Sequence, residues 1–471
     1  MPGPMPNRAA LACSLLAFAA TPAFAQTFPS DAQILQMLST RVDLQKHATG
    51  IVVGIAGPKG NRVLAYGTRG LDDRTLVDGN TVYDIGSVTK IFTALLLAGM
   101  AQRGEVSLGD PVQLYFDANK VKLPAYGGSV MTLADLATHS SGLPLRPGNL
   151  VSKDPHNQYA GYTTEDLYAF LSSYRLKWAP GSRYEYSNVG FGLLGLALSH
   201  RGKLDFPDLL RTRVTQPLGM KDTSILPSAD MQRREALPYD YQLKPAVHSE
   251  MTGGLAGAGA LRSTANDLLK LLDAFLGIRK SALAPAMQAM TALRRAGGMH
   301  PATAIALGWN IYDDGAREIV WKNGSVNGYR SFLGYDAKAQ LGIVALANAQ
   351  TGEGVDDIGM HLLDPSRPVD MHMPPPHREI ALASAILEQY VGAYRFSPTD
   401  LLVVTREGGG LVASDSNFGT EDKIGIFPES PREFFFRVFD AEVTFDAVAN
   451  GHATRAVWHQ DGADQTGTRT D

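Results

Sequence analysis

One helix in this chain leaves almost no room for polar side chains, yet it carries a lysine. The run Ser87–Gln102 would place apolar residues on nearly every helix face, which predicts burial, and it is too short to cross a bilayer. Gly104 follows as the predicted C-terminal cap. Residues three apart share a helix face, so Ser87 and Lys90 should lie side by side. Burying a lysine costs several kcal/mol unless it is paired or neutralised, so the pair points to chemistry.

The bulk composition describes an ordinary globular protein with a large core. The chain has 471 residues, enough for two or three domains, with 44% hydrophobic and 19% charged residues. Its formal net charge of −4 and the lack of a basic run give no reason to expect a nucleic-acid partner.

The first 25 residues have the pattern of a signal peptide. Arg8 precedes the apolar run Ala9–Ala20, and a small-x-small cleavage pattern ends at Ala25. We expect cleavage there, export to the periplasm or beyond, and no transmembrane segment in the mature chain. The single cysteine, Cys13, lies inside this segment, so the mature chain has no disulfide. A lipid anchor on Cys13 is the alternative.

Strand patterns at both ends of residues 26–363 enclose a helical middle. A hairpin is predicted over Gly50–Gly57 and Arg62–Thr68, and strand patterns return near residues 318–321, 330–335 and 341–348. The sequence therefore predicts an α+β fold, with an antiparallel sheet flanked by helices plus an all-helical region. Gly253–Ala260 reads as a loop that either lines a site or permits close packing.

A proline-rich linker and a small β domain are predicted to follow. Residues 364–385 contain the linker and the start of a short helix, about Glu379–Gln389. Short alternating runs then predict an all-β barrel or sandwich over residues 386–471. These runs are Val391–Phe396, Leu401–Arg406, Leu411–Ser414, Glu433–Phe439, Glu442–Phe445 and Arg455–His459.

Three short motifs carry the candidate chemistry. Ser87 is the only serine with a lysine three residues later, and Tyr186-Ser187-Asn188 is the only tyrosine motif with asparagine two residues later. Lys-x-Gly occurs at Lys322-Asn323-Gly324, at the end of a predicted strand, and at Lys423-Ile424-Gly425, which we interpret as structural. The serine–lysine pair alone is expected by chance about once in a chain of this size.

In this order the motifs resemble those of the penicillin-recognising serine hydrolases, which include serine β-lactamases, D-alanyl-D-alanine peptidases and related esterases. The tyrosine that opens the middle motif is similar to the class C β-lactamase branch and its peptidase relatives. The resemblance covers about Ser30–Leu363, and the β domain resembles a lipocalin-like extension. Further stretches similar to that branch are Leu133–Pro144, Gln216–Met220 and Leu341–Asn348.

The resemblance implies an enzyme that acts through an acyl-serine, with no metal or cofactor. Its catalytic residues would be Ser87, Lys90 and Tyr186. The residues expected to bind substrate are Asn188, Lys322, Asn323, Ser325 and Asn348. The backbone N–H groups of Ser87 and Ser325 would form the oxyanion hole, and Lys322 would hold a substrate carboxylate.

A serine hydroxyl needs a nearby base before it can attack. Lysine and tyrosine are mostly protonated at neutral pH, but burial or a second cation lowers a lysine's pKa, and a nearby cation lowers a tyrosine's. We therefore expect Lys90 and Tyr186 to act as one coupled base, with the proton assigned to neither.

The sequence alone does not decide which class of substrate the enzyme takes. Arg146 replaces a side-chain-binding glutamine of class C β-lactamases, and Asn323 replaces their usual threonine. The leading hypothesis is a β-lactamase, followed closely by a D-alanyl-D-alanine peptidase of peptidoglycan peptides. An esterase and a penicillin-binding sensor that stays acylated are further alternatives.

Simpler structural roles compete for individual residues. Ser87 as a helix cap, Tyr186 as a packed aromatic and Asn348 as a strand-end residue are alternatives, and we interpret His139 and His248 as structural or surface residues. No His-Glu-x-x-His or Gly-x-Ser-x-Gly motif supports a zinc or Ser-His-Asp hydrolase. We also interpret His361 and His459 as structural or surface residues, whereas His372 and His377 flank the proline-rich linker and make a poor metal site.

Overall fold

The computed structural model describes residues 28–470 apart from 152–153, 155–156, 158, 250, 252, 353, 372–376, 398–399, 416–422, 437–440, 450 and 461–462. The predicted signal peptide, its cleavage site, Cys13 and His372 lie outside the described residues.

Ten strands lie within residues 28–371. They are β1 (Gly50–Ala56), β2 (Arg62–Gly67), β3 (Val82–Asp84), β4 (Arg262–Thr264), β5 (Arg295–Ala296), β6 (Ala304–Ile305), β7 (Asn310–Asp313), β8 (Glu318–Val326), β9 (Tyr329–Asp336) and β10 (Leu341–Ala347). Eight of them form one antiparallel sheet in the order β2-β1-β10-β9-β8-β7-β6-β5, while β3 pairs with β4. The hairpin β1–β2 thus pairs with β10, so one sheet combines strands from both ends of this region, as the sequence predicted.

The α-helices cover both faces of this sheet and fill the region between its first and last strands. They are α1 (Asp31–Ser39), α2 (Thr89–Gln102), α3 (Leu133–Ala137), α4 (Thr164–Ser173), α5 (Asn188–Gly202), α6 (Phe206–Leu210), α7 (Gln216–Leu218), α8 (Ala229–Arg233), α9 (Ala256–Gly259), α10 (Ala265–Phe275), α11 (Ala284–Ala292) and α12 (Asp356–Leu363). Alternate residues of a strand face opposite sides, so Ile51 of β1 packs towards α1 and α12, and Val52 packs towards the helical layer. This arrangement confirms the predicted α+β fold class.

Helix α2 lies at the centre of the helical layer. Every residue from Thr89 to Met100 is buried, Lys90 included. A 3₁₀ turn, Gly86–Val88, precedes the helix, and Gly104 follows its end with a left-handed φ of +68°. Because α5, α9 and α11 pack around it, α2 has no solvent-facing stripe.

The segment predicted as a loop at Gly253–Ala260 is instead a 3₁₀ turn, Gly253–Leu255, followed by α9. Its glycines permit close packing against α5. A Cβ added to Gly192 of α5 would lie 2.3 Å from the Gly254 carbonyl oxygen, and one added to Gly257 would lie 2.6 Å from the Phe191 carbonyl oxygen. The sequence did not predict these helical turns because small residues give no helical periodicity.

The C-terminal strands form a closed eight-stranded barrel, in which β18 pairs with both β17 and β11. Its strands are β11 (Gly392–Ser397), β12 (Asp400–Glu407), β13 (Gly410–Asp415), β14 (Ile424–Pro428), β15 (Glu433–Phe436), β16 (Glu442–Ala449), β17 (His452–Gln460) and β18 (Ala463–Arg469). The barrel interior holds packed aromatic rings, among them Tyr394, Phe434 and Phe445.

Three features of this part of the chain were not predicted. Strand β18 is mostly polar and β14 ends in proline, so neither shows the alternation of a half-buried strand. The helix predicted over Glu379–Gln389 is shorter: α13 (Ser384–Leu387) is followed by a 3₁₀ turn, Glu388–Tyr390. The segment before α13 instead contacts the barrel, where Ile380 N–H donates to the Pro428 carbonyl at 2.8 Å.

The barrel also contacts the rest of the chain through side chains. Tyr241 Oη accepts a hydrogen bond from the Gly425 N–H at 3.1 Å and donates to the Lys423 carbonyl at 3.3 Å. The second Lys-x-Gly sequence therefore lies at this junction. Nearby, the His377 ring stacks on Phe435.

We predict that Gly192→Ala destabilises the protein by about 1–3 kcal/mol, because the added methyl group would overlap the Gly254 carbonyl. Gly99→Ala is the matched control, since a Cβ there meets only the flexible end of Arg103 at 3.3 Å. Replacing a helical glycine by alanine should then be neutral or stabilising by up to about 1 kcal/mol. Urea unfolding of both variants checks this; equal stabilities would contradict the packing described for α5.

Candidate active site

The site is built around the start of α2. Strand β3 leads into the turn at Gly86, whose φ of +47° favours glycine. A Cβ added to Gly86 would lie 3.2 Å from the Ser325 backbone nitrogen, so the end of β8 lies directly against this turn. Ser87, the next residue, is half-buried and lies at the mouth of the buried helix.

Lys90 extends from the first turn of α2 into a fully buried position. Its Nζ lies 3.0 Å from Ser87 Oγ, 2.8 Å from Asn188 Oδ1 and 2.7 Å from the Ala258 carbonyl oxygen. Asn188 begins α5 and Ala258 belongs to α9, so the close packing of these helices creates the pocket for the amine.

Tyr186 places its hydroxyl on the other side of the serine. Its Oη lies 2.7 Å from Ser87 Oγ, and its ring lies close to two lysine amines, with Lys90 Nζ 4.9 Å and Lys322 Nζ 4.7 Å from the ring centroid. Ser187 caps α5 by accepting a hydrogen bond from the Gly190 N–H at 2.8 Å, which fixes the turn that presents Tyr186.

His139 supports this turn from behind, a role that sequence analysis did not assign beyond calling the residue structural. Its buried ring packs 4.3 Å from the Tyr186 ring, and its Nδ1 accepts a hydrogen bond from the Ser187 N–H at 3.1 Å. The only signal in the sequence was its position inside the Leu133–Pro144 stretch. Directly after that stretch, the Leu145 carbonyl, next to Arg146, accepts a hydrogen bond from the Asn188 N–H at 3.1 Å.

Strand β8 brings Lys322 to the same cluster. Lys322 is 1% exposed, and a Cβ added to Gly324 would lie 2.2 Å from the Ile85 carbonyl oxygen. Glycine is therefore required where β8 passes the nucleophile turn, and Ser325 follows it with its backbone beside Gly86.

Two residues of the predicted substrate site make their contacts away from the Ser87 cluster. Asn323 alternates with Lys322 along β8, so it faces the opposite side of the sheet, where its Nδ2 donates to Asp356. Asn348 is fully buried: its Oδ1 accepts from the N–H groups of Thr49 and Gly50, and its Nδ2 donates to Thr49 Oγ1 and to two carbonyls. These contacts are those of a structural residue at the end of a strand, which is the alternative role given above for Asn348.

Burial dominates the electrostatics of the site. It lowers the pKa of Lys90 well below its usual range, helped by the Lys322 ammonium, and it lowers the pKa of Lys322 to about 7 against the opposing Asp356 carboxylate. Burial raises the pKa of Tyr186. Our expectation of a lowered tyrosine pKa does not hold, because desolvation of the phenolate outweighs the opposing hydrogen bond with Ser87.

The contacts of Lys90 fit a neutral amine. The lowered pKa of Lys90 favours the neutral amine. In that form its two N–H groups donate to the oxygens of Asn188 and Ala258 and its lone pair accepts from the Ser87 hydroxyl, whereas a charged amine would donate to all three oxygens. Ser87 Oγ in turn accepts from the Tyr186 hydroxyl. This gives one continuous donor–acceptor chain, from Tyr186 O–H to Ser87 O–H to Lys90 Nζ.

Residues 26–364 match the family model for β-lactamase. The chain belongs to the β-lactamase family. Residues 376–469 match a separate model, described as a domain of unknown function, DUF3471. The family assignment and the relatives below make the chain a serine hydrolase.

Curated members of the β-lactamase family align along most of their length. The D-alanyl-D-alanine-carboxypeptidase/endopeptidase AmpH of Escherichia coli is 29% identical over 338 residues, which cover 69% of this chain and 85% of that protein. A β-lactamase of Escherichia coli is 26% identical over 373 residues, covering 71% of this chain and 93% of that protein.

Solved structures of the family share the fold. A class C β-lactamase from Rhodobacter sphaeroides has 26% identity and a TM-score of 0.58, covering 68% of this chain and 94% of that one. The octameric penicillin-binding protein homologue from Pyrococcus abyssi has 22% identity and a TM-score of 0.62, and covers 93% of this chain and 99% of that one. Within the described part of the chain, no helix has the length and apolarity to cross a membrane.

We predict that Lys90 makes stability depend on pH. An amine that is neutral in the folded state and charged in the unfolded state makes the unfolded chain bind one more proton, so stability rises with pH up to about pH 10. The unfolding free energy of the wild type minus that of Lys90→Met should rise by up to about 1.4 kcal/mol per pH unit between pH 7 and 9. Urea unfolding measures this difference; a flat difference would mean that Lys90 stays charged when folded.

Proposed function

We propose that this protein is an exported serine hydrolase that opens β-lactams through an acyl intermediate on Ser87. The single observation that carries the proposal is the donor–acceptor chain from Tyr186 through Ser87 to Lys90, with the Lys322 ammonium against the same tyrosine ring. The predicted division supports the same picture: a signal peptide over residues 1–25, a hydrolase domain over 26–363, a linker and a separate β domain over 386–471.

Acylation follows from these contacts. Lys90 Nζ takes the Ser87 hydroxyl proton while Ser87 Oγ bonds to the substrate carbonyl carbon, and the Asn188 and Ala258 oxygens stabilise the ammonium that forms. The backbone N–H groups of Ser87 and Ser325 stabilise the oxyanion.

Tyr186 then completes the proton transfer. Its hydroxyl gives a proton to the leaving nitrogen when the carbon–nitrogen bond breaks, and the Lys90 ammonium restores it, so the serine proton ends on the leaving group. In the second half-reaction, a water molecule attacks the acyl carbonyl, and the same pair receives its proton and returns one to Ser87 Oγ.

The second candidate function is hydrolysis of D-alanyl-D-alanine peptides. The D-alanyl-D-alanine-carboxypeptidase/endopeptidase AmpH is 29% identical to this chain over 338 residues. Both substrate classes present an amide carbonyl near a carboxylate, and Lys322 supplies a cation for that carboxylate in each case. Asn188 would bind the substrate's amide group, and Asn323 and Asn348 take no part in this account.

The proposal is tested by mass spectrometry of the purified mature protein after incubation with a penicillin. We predict one adduct of penicillin mass on the peptide that contains Ser87, and no adduct in Ser87→Ala. Ser173→Ala, at the end of α4, serves as the control and should label like the wild type.

Kinetics then separate the substrate classes. The wild type is given a cephalosporin, a D-alanyl-D-alanine peptide and a neutral short-chain ester, and kcat/KM is compared. Turnover of the cephalosporin beyond one equivalent supports the β-lactamase, and preference for the peptide supports the peptidase. An adduct without turnover of any substrate would make the protein a sensor, and labelling that persists in Ser87→Ala would overturn the proposal.

A further inference from the structure

The ammonium group of Lys322 is poorly satisfied. Among the described residues, the only atom that accepts a hydrogen bond from Lys322 Nζ is the Met299 sulfur, at 3.6 Å. A thioether is a weak acceptor, and the remaining close contact is with the face of the Tyr186 ring. A buried cation with so few partners is destabilised until an anion reaches it.

An anion cannot reach Lys322 in this arrangement. Its side chain is 1% exposed, whereas a carboxylate must approach the ammonium to about 2.8 Å to form a charge-assisted hydrogen bond. A covering group must therefore move when a carboxylate binds, and the Tyr186 ring and the Met299 side chain are two that contact the amine nitrogen.

Tyr186 is held more firmly than Met299. The tyrosine hydroxyl is bonded to Ser87, and its ring packs against the buried His139 ring. Moving it would break the donor–acceptor chain on which the acylation step depends. Among the residues that the structure describes, only Lys322 makes a polar contact with the Met299 side chain.

Met299 lies on a short connection between β5 and β6 and is only half-buried. Its backbone N–H donates to Asn310 Oδ1 at 3.1 Å, and its carbonyl accepts from the Ala302 N–H at 2.6 Å. These two backbone contacts can remain in place while the side chain changes rotamer, because methionine is unbranched and has three rotatable bonds.

We propose that Met299 determines specificity by acting as a removable cover on Lys322. The inference rests on the proposed function of the site and adds the residue that governs selection for a carboxylate. A substrate with a carboxylate must displace the Met299 side chain to reach Lys322. A neutral substrate reacts at Ser87 with the cover in place. Displacing the Met299 side chain therefore costs free energy only when the substrate carries a carboxylate.

A matched pair of substrates tests this: a chromogenic cephalosporin with a free carboxylate and the same compound as its methyl ester. For Met299→Ala, we predict that kcat/KM for the free acid rises by roughly 3- to 30-fold, through KM, while kcat/KM for the ester stays within about twofold. Met299→Leu keeps an apolar cover of similar size and should behave like the wild type. In a Lys322→Ala background, Met299→Ala should no longer distinguish the two substrates.

A pH profile adds a readout that a merely structural role would not move. Burial lowers the pKa of Lys322 to about 7, so in the wild type KM for the free acid should worsen above that pH. In Met299→Ala, water can hydrate the uncovered Lys322 amine, so the rise in KM for the free acid should begin at a higher pH. Equal changes for acid and ester, or a rise that begins at the same pH, would overturn the inference.

The penicillin adduct on Ser87 is measured first in the wild type and in each Met299 variant. Its absence from the wild type, together with no hydrolysis of the cephalosporin, the peptide or the ester, would overturn the proposed function and this inference with it. Its presence, with unchanged selectivity in Met299→Ala, would overturn only the role of Met299.

Discussion

The site depends on one buried amine and its three oxygen neighbours. Lys90 extends from a helix that has no solvent-facing side, and Ser87, Asn188 and the Ala258 carbonyl surround its nitrogen at 2.7–3.0 Å. In such a place the charged form is disfavoured, and in the proposed mechanism the lysine therefore acts as the base without a histidine. The surrounding packing serves this contact, because the glycines of α5 and of residues 253–260 let those helices approach closely enough to bring the two carbonyl oxygens to the amine.

Lys322, the second buried lysine, acts in this account as a cation rather than as a neutral amine. Lys322 shares the Tyr186 ring with Lys90, and its cation disfavours charge on Lys90 while remaining available to an anion. Both amines thus lie against one tyrosine ring; in the proposed mechanism Lys90 accepts the serine proton and Lys322 recognises the substrate carboxylate. Glycine at position 324 makes this possible, since a side chain there would push β8 away from the turn that holds Ser87.

The fold class and the family could be predicted from the sequence, because both depend on local patterns and on the spacing of short motifs. The all-apolar helix, the order of the three motifs and the strands at both ends predicted the α+β fold and the family. What failed depended on context beyond the motif. The face of β8 on which Asn323 lies, and the complete use of the Asn348 amide, are set by partners far away in the sequence. The shift of the Tyr186 pKa likewise reflects total burial, which the motif does not encode.

The central claim is that Lys90 is the neutral base of the resting enzyme. NMR of the protein labelled with ¹³C at the lysine Cε measures its pKa directly, with Lys90→Met and Lys322→Met used to assign the two buried signals. The account predicts a Lys90 signal that is already in its neutral form at pH 7, distinct from a Lys322 signal that titrates near pH 7. A Lys90 signal that titrates near the ordinary lysine value of about 10.4 would contradict the account.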